Sequence, residues 1–131
     1  MLQSQGGTRT LAAEVFQTGM LQTARRDDEV ITAVRFPVRP GRAAFREVAR
    51  RHGDFAILAA AVVRVEDGLR VGLGGIADRP HVATFPAGAD PHDWANDLAW
   101  QLGGYDDIHA TARYRRDLVR RLVPILIEEV R

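Results

Sequence analysis

Apolar residues gather in this chain into one long run and a few patterned stretches. From Phe55 to Val65 the sequence FAILAAAVVRV is almost wholly apolar and reads as a strand. Glu66, Asp67 and Gly68 follow with the Asp-Gly signature of a tight hairpin, and LRVGLGGIA (Leu69 to Ala77) is the return strand. Upstream, the β-branched VITAVRF predicts a strand from Glu29 to Phe36 that stops at Pro37, and VRPGR predicts a turn. AAFREVARR fits either a helix, with Phe45, Val48 and Ala49 on one face, or a strand entering the sheet; the neighbouring pattern favours the strand. These segments give a meander of three or four antiparallel strands.

The second half has helical periodicity. GADPHDWANDLAWQLGG offers Asp90 as N-cap, Pro91 at the first helical position, Asp93 in the first turn and Gly103 as the C-terminal stop. DDIHATARYRRDLVRRLVPILIEEV repeats apolar residues at Tyr114, Leu118, Leu122 and Leu126, and Pro124 should kink this helix because it cannot donate to the Arg120 carbonyl. TLAAEVF fits one short helical turn, while residues 1–8 are polar, glycine-containing and read as loose. Strands first and helices after predict an α+β sandwich, a three- to four-stranded antiparallel sheet against about three helices, in a single domain over residues 1–131.

Composition narrows the chemistry. Eighteen basic and 17 acidic residues leave a net charge of +1, too little to gather nucleic acid or an anionic membrane surface. All the basic residues are arginine, which rules out lysine chemistry, and the absence of cysteine removes disulfides, thiolate nucleophiles and cysteine–metal sites. The longest uninterrupted apolar stretch, nine residues from Phe55 to Val63, falls short of the roughly 18 needed to cross a membrane. With no signal-peptide pattern at the start, the cytoplasm is the default compartment.

Single motifs say little. His52, His81, His92 and His109 are scattered without metal-ligand spacing, so no metal is expected. Ser4 is the one serine and has no nucleophile elbow around it; no catalytic residue is assigned. The acidic pairs Asp106/Asp107 and Glu128/Glu129 read as solvated or capping charges, and the arginine doublets near the C-terminus as a polar helix flank without an aromatic platform. LGGIADRP (Leu73 to Pro80) lacks the spacing of a phosphate loop, and Pro80 argues against a helix directly after it; it reads as a close backbone approach at a strand end followed by a turn.

Taken in order, FREVARRHGDFAILAAAVV, LGGIADRP and DDIHATARYRRDLVRRL resemble the C-terminal domain of the FAD-binding medium subunit in the xanthine dehydrogenase and carbon monoxide dehydrogenase family of molybdenum hydroxylases. LQTARRDDEVITAVRFP resembles the segment that opens the same domain, so the resemblance covers about residues 8 to 122, although Ala24 stands where the family usually has leucine.

The resemblance implies a sandwich like the CO dehydrogenase flavoprotein C-terminal domain, closing over the isoalloxazine of FAD. It implies a complex with a molybdopterin large subunit and a [2Fe–2S] small subunit, in which electrons pass through the clusters to FAD and on to an external acceptor. By position, Ile31 matches an aliphatic residue packed on the flavin ring, Arg46 a basic residue at its polar edge, and Asp54 a neighbour that orients the backbone or Arg46. Nothing in the chain resembles the N-terminal domain that holds the FAD phosphates, so the chain alone is expected to be inactive and to bind FAD weakly or not at all. It would be completed by a separate N-terminal FAD-binding half; the alternative is a non-catalytic interaction domain that no longer binds flavin.

Overall fold

In the computed structural model, residues 1–38 and 41–131 are described, and they form two compact units, Met1–Pro40 and Gly41–Arg131. The turn expected at VRPGR includes Arg39 and Pro40 and so lies partly outside the described residues. The fold is α+β, with antiparallel sheets and three helices.

The first unit contains β1 (Leu2–Ser4), β2 (Gly7–Arg9), the single-turn helix α1 (Ala13–Phe16), β3 (Gln17–Gly19), β4 (Gln22–Thr23) and β5 (Val30–Ile31). β1 lies between β2 and β5, pairing antiparallel with both, while β3 and β4 make a separate two-stranded ribbon. Residues 1–8, expected to be loose, instead form the β1–β2 hairpin: Leu2 is buried, and the N-terminal amine donates to the Ala33 carbonyl at 2.7 Å. Of the strand expected from Glu29 to Phe36, Val30 and Ile31 pair with β1 as β5, and the bonding continues through the Thr32 N–H to the Met1 carbonyl and ends at Ala33, where the partner segment runs out.

The second unit is a meander of β6 (Ala43–Ala49), β7 (Ala56–Val65), β8 (Gly68–Gly74) and β9 (His81–Phe85), followed by α2 (Pro91–Leu102) and α3 (Ala112–Val130). AAFREVARR is therefore a strand. The fourth strand of this sheet is β9, since LGGIADRP turns the chain back to pair His81 with Leu73. Period-two alternation sends Leu58, Ala60 and Val62 of β7, and Leu69, Val71 and Leu73 of β8, to the helix-covered face. Against them pack Ala95, Leu98 and Ala99 of α2 and Leu118, Val119, Val123, Leu126, Ile127 and Val130 of α3.

The α2 helix starts as its sequence dictates: the Asp90 carboxylate accepts from the backbone N–H groups of His92 at 2.8 Å and Asp93 at 2.9 Å, Pro91 follows, and Gly103 with φ of 74° ends it. In α3 the buried stripe is Arg115, Leu118, Val119, Val123, Leu126, Ile127 and Val130, whereas Tyr114 is exposed. Of the series spaced four apart, Leu118 and Leu126 are buried and Leu122 packs against the core, while Tyr114 falls outside because a spacing of four overshoots the 3.6-residue turn. The helix runs through Pro124, itself buried, to Val130. At its C-terminal end Arg64 donates to the Val130 carbonyl at 2.8 Å and also to the Arg131 carbonyl, placing a cation on carbonyls that the helix leaves unpaired.

Candidate functional site

The three residues singled out from the sequence do not share one environment. Ile31 belongs to the first unit, Arg46 and Asp54 to the second. Ile31 is half exposed on β5, where Leu2, Leu11, Phe16, Ile31 and Val34 line a mainly apolar groove of about 310 Å³. One ordinary charge pair orders the strand that carries it. Arg9 donates through Nε to Glu29 Oε1 at 2.5 Å and through Nη2 to Oε2 at 2.8 Å, and the Arg26 backbone N–H donates to the same carboxylate at 2.7 Å. The Arg9 hydrogen bonds, then the Arg26 N–H, outweigh desolvation and hold the Glu29 carboxyl well below its usual value, at about 2.

Arg46 alternates with Ala44 and Val48 on the helix-facing side of β6 and extends to α3, donating to Glu129 Oε1 at 2.6 Å. Asp54 stands at the opposite end of the sheet, in the β6–β7 connection, and caps the Phe55 backbone N–H at 3.0 Å. Along α3, Glu129 and Arg115 are 14 residues apart, about 21 Å, so Arg46 and Asp54 sit near different ends of that helix. Of the two partners expected for Asp54, the backbone or Arg46, it meets the backbone at Phe55, and Arg46 pairs with Glu129.

Around Asp54 lies a pocket of about 290 Å³ bounded by Arg50, Phe55, Tyr105, Asp107, His109 and Arg115. Phe55 is almost fully exposed at its rim, and Arg50 Nη1 lies 3.3 Å from His109 Nδ1. The floor is built by Arg115, whose side chain is 2% exposed. Its guanidinium donates to the carbonyls of Ile57 at 2.5 Å, Gly75 at 2.7 Å and Tyr105 at 3.2 Å, and to Asp107 Oδ2 at 2.6 Å, with the Tyr105 ring 4.3 Å away. Burial pushes the Asp107 carboxyl up, but the backbone N–H groups of Ala110 and His109 and the Arg115 guanidinium outweigh it, leaving Asp107 below its usual range.

The structure corrects two readings of the arginine doublets. Arg115 is part of the core, not the solvated flank, because it lies three residues before Leu118 and four before Val119 on the buried stripe; that spacing was the signal that could have found it. Arg116 and Arg120 do have an aromatic platform, the Trp100 ring of α2, at 4.6 and 5.1 Å. Asp107, read as a solvated or capping charge, both caps its loop and anchors Arg115. LGGIADRP takes up the close approach expected of it. Gly75, at φ of 87°, has its Cβ position against the Ile57 carbonyl, and Ile76 is fully buried.

Among the described residues no group of three or more His, Cys, Asp or Glu could hold a metal ion, and no helix is long and apolar enough to cross a membrane.

No family model matches the chain. It is 32% identical over 143 aligned positions to the nicotine 6-hydroxylase medium subunit of Paenarthrobacter nicotinovorans, covering 98% of this chain and 50% of that protein. It is 43% identical over 82 positions to the caffeine dehydrogenase subunit beta of a Pseudomonas species, covering 56% of this chain and 28% of the other. Among solved structures, the Cu,Mo-CO dehydrogenase in its cyanide-inactivated form superposes with a TM-score of 0.82 at 28% identity, over 98% of this chain and 51% of that one. The chain is thus similar to medium subunits of molybdenum hydroxylases, and it spans about half the length of the curated relatives it matches across nearly all of its own residues.

Proposed function

We propose that this chain is the flavin-covering C-terminal module of a medium-subunit flavoprotein, helping electrons pass from a molybdenum and [2Fe–2S] hydroxylase through FAD to an external acceptor. The observation that carries this reading is the superposition on the Cu,Mo-CO dehydrogenase chain over 98% of the residues at a TM-score of 0.82. The grooves add chemical sense to it. A volume of about 310 Å³ lies at the lower end of small-molecule sites, enough for a flat ring system and too small for a whole dinucleotide.

The residues fit one part of FAD. Ile31, with Phe16 and Val34 beside it, offers a flat apolar contact for a ring. The diphosphate has no matching cradle among the described residues: LGGIADRP leads into a strand, and Asp90 already occupies the N-terminal N–H groups of α2. When bound, FAD supplies the acceptance and release of electrons; the chain contributes ring contact, exclusion of water and a polar group at the edge. Arg46 and Asp54 sit near different ends of α3, so one ring edge does not meet both; Arg46 is the group proposed for that edge, and its guanidinium has to exchange Glu129 for the flavin to serve in that role. The large molybdopterin subunit, the small [2Fe–2S] subunit and a polypeptide holding the FAD phosphates are the partners this assignment requires.

The test is spectroscopic. The full chain purified alone and mixed with FAD should show no stoichiometric flavin absorption between about 350 and 500 nm, whereas the chain assembled with its hydroxylase partners should carry one flavin. An assembled complex without flavin would refute the assignment.

A further inference from the structure

The four-stranded sheet of the second unit has a bare side. The helices cover one face of β6 to β9, and the other is open to solvent. Register puts Phe45, Ala61, Gly72 and Val82 in one row across all four strands of that open face. Phe45 is 54% exposed, Val82 57%, and Val63 in the next row 38%. A solvated sheet face ordinarily carries polar residues. Here the charged side chains in the central row and the two rows flanking it are Glu47 and Arg70 alone.

Glycine is the second sign. Gly72 and Gly74 belong to β8, an interior strand, where glycine weakens pairing. Neither has a positive φ; a Cβ at Gly72 would meet nothing within 4 Å, and one at Gly74 only the Ala59 methyl at 3.9 Å. Neither the backbone nor a neighbour within the chain therefore requires glycine at these positions. With Ala59 and Ala61 beside them they leave a flat strip between Phe45 and Val82, over which another backbone can pass closely.

The two charges fit the same face turned on itself. Glu47 and Arg70 lie two strands and four residues apart, about 17 Å at the usual strand spacing and rise, and Ala61 is midway between them. Neither makes an ion pair among the described residues. A twofold axis running over Ala61, at right angles to the line joining the two charges, sets Glu47 against the second copy's Arg70 and Arg70 against its Glu47. The same operation lays Val82 over the second copy's Gly74, and the strands of the two sheets cross at about 70°, nearer the orthogonal class of sheet packing than the aligned one.

We infer that the open face of β6 to β9 is a homodimer interface, on which a second copy of this chain seats its own open face about the axis over Ala61. Four strands by five residues give about 300–400 Å² per copy, roughly half of what a standard interface buries on each partner, so the dimer is reversible and not obligate. Ile31, Arg46 and Asp54 lie outside these rows, which makes pairing separable from flavin binding.

The experiment follows the full chain, without flavin, by analytical ultracentrifugation from about 5 to about 500 μM, where the average mass should rise from one chain towards two. Glu47→Arg and Arg70→Glu each set like charges opposite one another twice, and each alone should raise the dimer dissociation constant by at least about tenfold. Mixed one to one, the two variants should recover the dimer, because the first presents two cations where the second presents two anions. A mass of one chain at every concentration would overturn the inference and hand the face to a hydroxylase subunit. A dimer indifferent to both substitutions, or a mixture no better paired than its components, would overturn it too, since either result puts the contact elsewhere.

Discussion

The Arg115 guanidinium binds the Gly75 carbonyl at 2.7 Å and the Ile57 carbonyl at 2.5 Å, tying α3 to the chain on either side of the point where β8 passes β7. Gly75 makes this geometry possible, because a Cβ there would meet the Ile57 carbonyl and its φ of 87° disfavours any L side chain. A buried guanidinium with all its bonds made is costly to remove. Arg115→Ala would strand three carbonyls and the Asp107 carboxylate.

Arg115→Ala should therefore destabilise the second unit by ~3–5 kcal/mol, the range for breaking one partner out of a buried charged pair. Arg115→Lys should recover only part of that loss, since an ammonium cannot reproduce the planar fork. Gly75→Ala should cost at least about 1 kcal/mol through backbone strain alone. Urea unfolding of the three variants checks the order; equal stability of Arg115→Ala and the parent would show that the strut does not hold the unit together.

Acid should loosen the first unit specifically. Glu29 has a folded value of about 2 against its usual 4.5, so the unfolded chain takes up the proton first as pH falls. Its contribution is fully present above about pH 4.5 and is lost as the pH drops towards and through 2. Amide exchange of residues 1–38 between pH 5 and 2 should accelerate beyond the intrinsic pH effect in the parent and much less in Glu29→Gln, which lacks the titrating group. A parent and variant with the same pH profile would show that the Arg9–Glu29 pair does not hold this unit.

How far the sequence foretells this structure depends on the range of the interaction. The α2 boundaries were legible because Asp90, Pro91 and Gly103 act on their own neighbours. The β7–β8 hairpin was legible for the same reason at Asp67 and Gly68. β9 was not, since HVATF is short and becomes a strand by pairing with β8. Nor was the β1–β2 hairpin, whose polar residues carry no periodic signal and whose order rests on Leu2 and on pairing with β5. Within the candidate site, Ile31 could be named from a segment match. The partner of Arg46 could not, because Glu129 is 83 positions away and no local rule joins them.

The Arg46–Glu129 pair separates two roles for Arg46. Both side chains are well exposed, so the pair contributes little to stability, on the order of 0.2–1 kcal/mol for such surface pairs. Arg46→Ala should leave the fold intact, and in the assembled complex it should lower flavin occupancy or acceptor reduction. Glu129→Gln, which frees the guanidinium, should not lower either. Unchanged flavin content and turnover in Arg46→Ala would take Arg46 out of the site and leave it a surface ion pair.

Ile31 calls for a variant that keeps the surface apolar. Removing most of its side chain as Ile31→Ala should weaken FAD binding in the assembled complex by about 10- to 100-fold, the equivalent of ~1.5–3 kcal/mol of apolar burial against one side of a ring. Ile31→Leu should stay within a few-fold of the parent, since volume and polarity are conserved. Light scattering must show the complex intact before FAD is titrated; a variant that fails to assemble reports on assembly instead. With assembly preserved, equal FAD affinity for Ile31→Ala and the parent would mean that the ring packs elsewhere, and the exposed Phe55 beside Asp54 would become the next position to substitute.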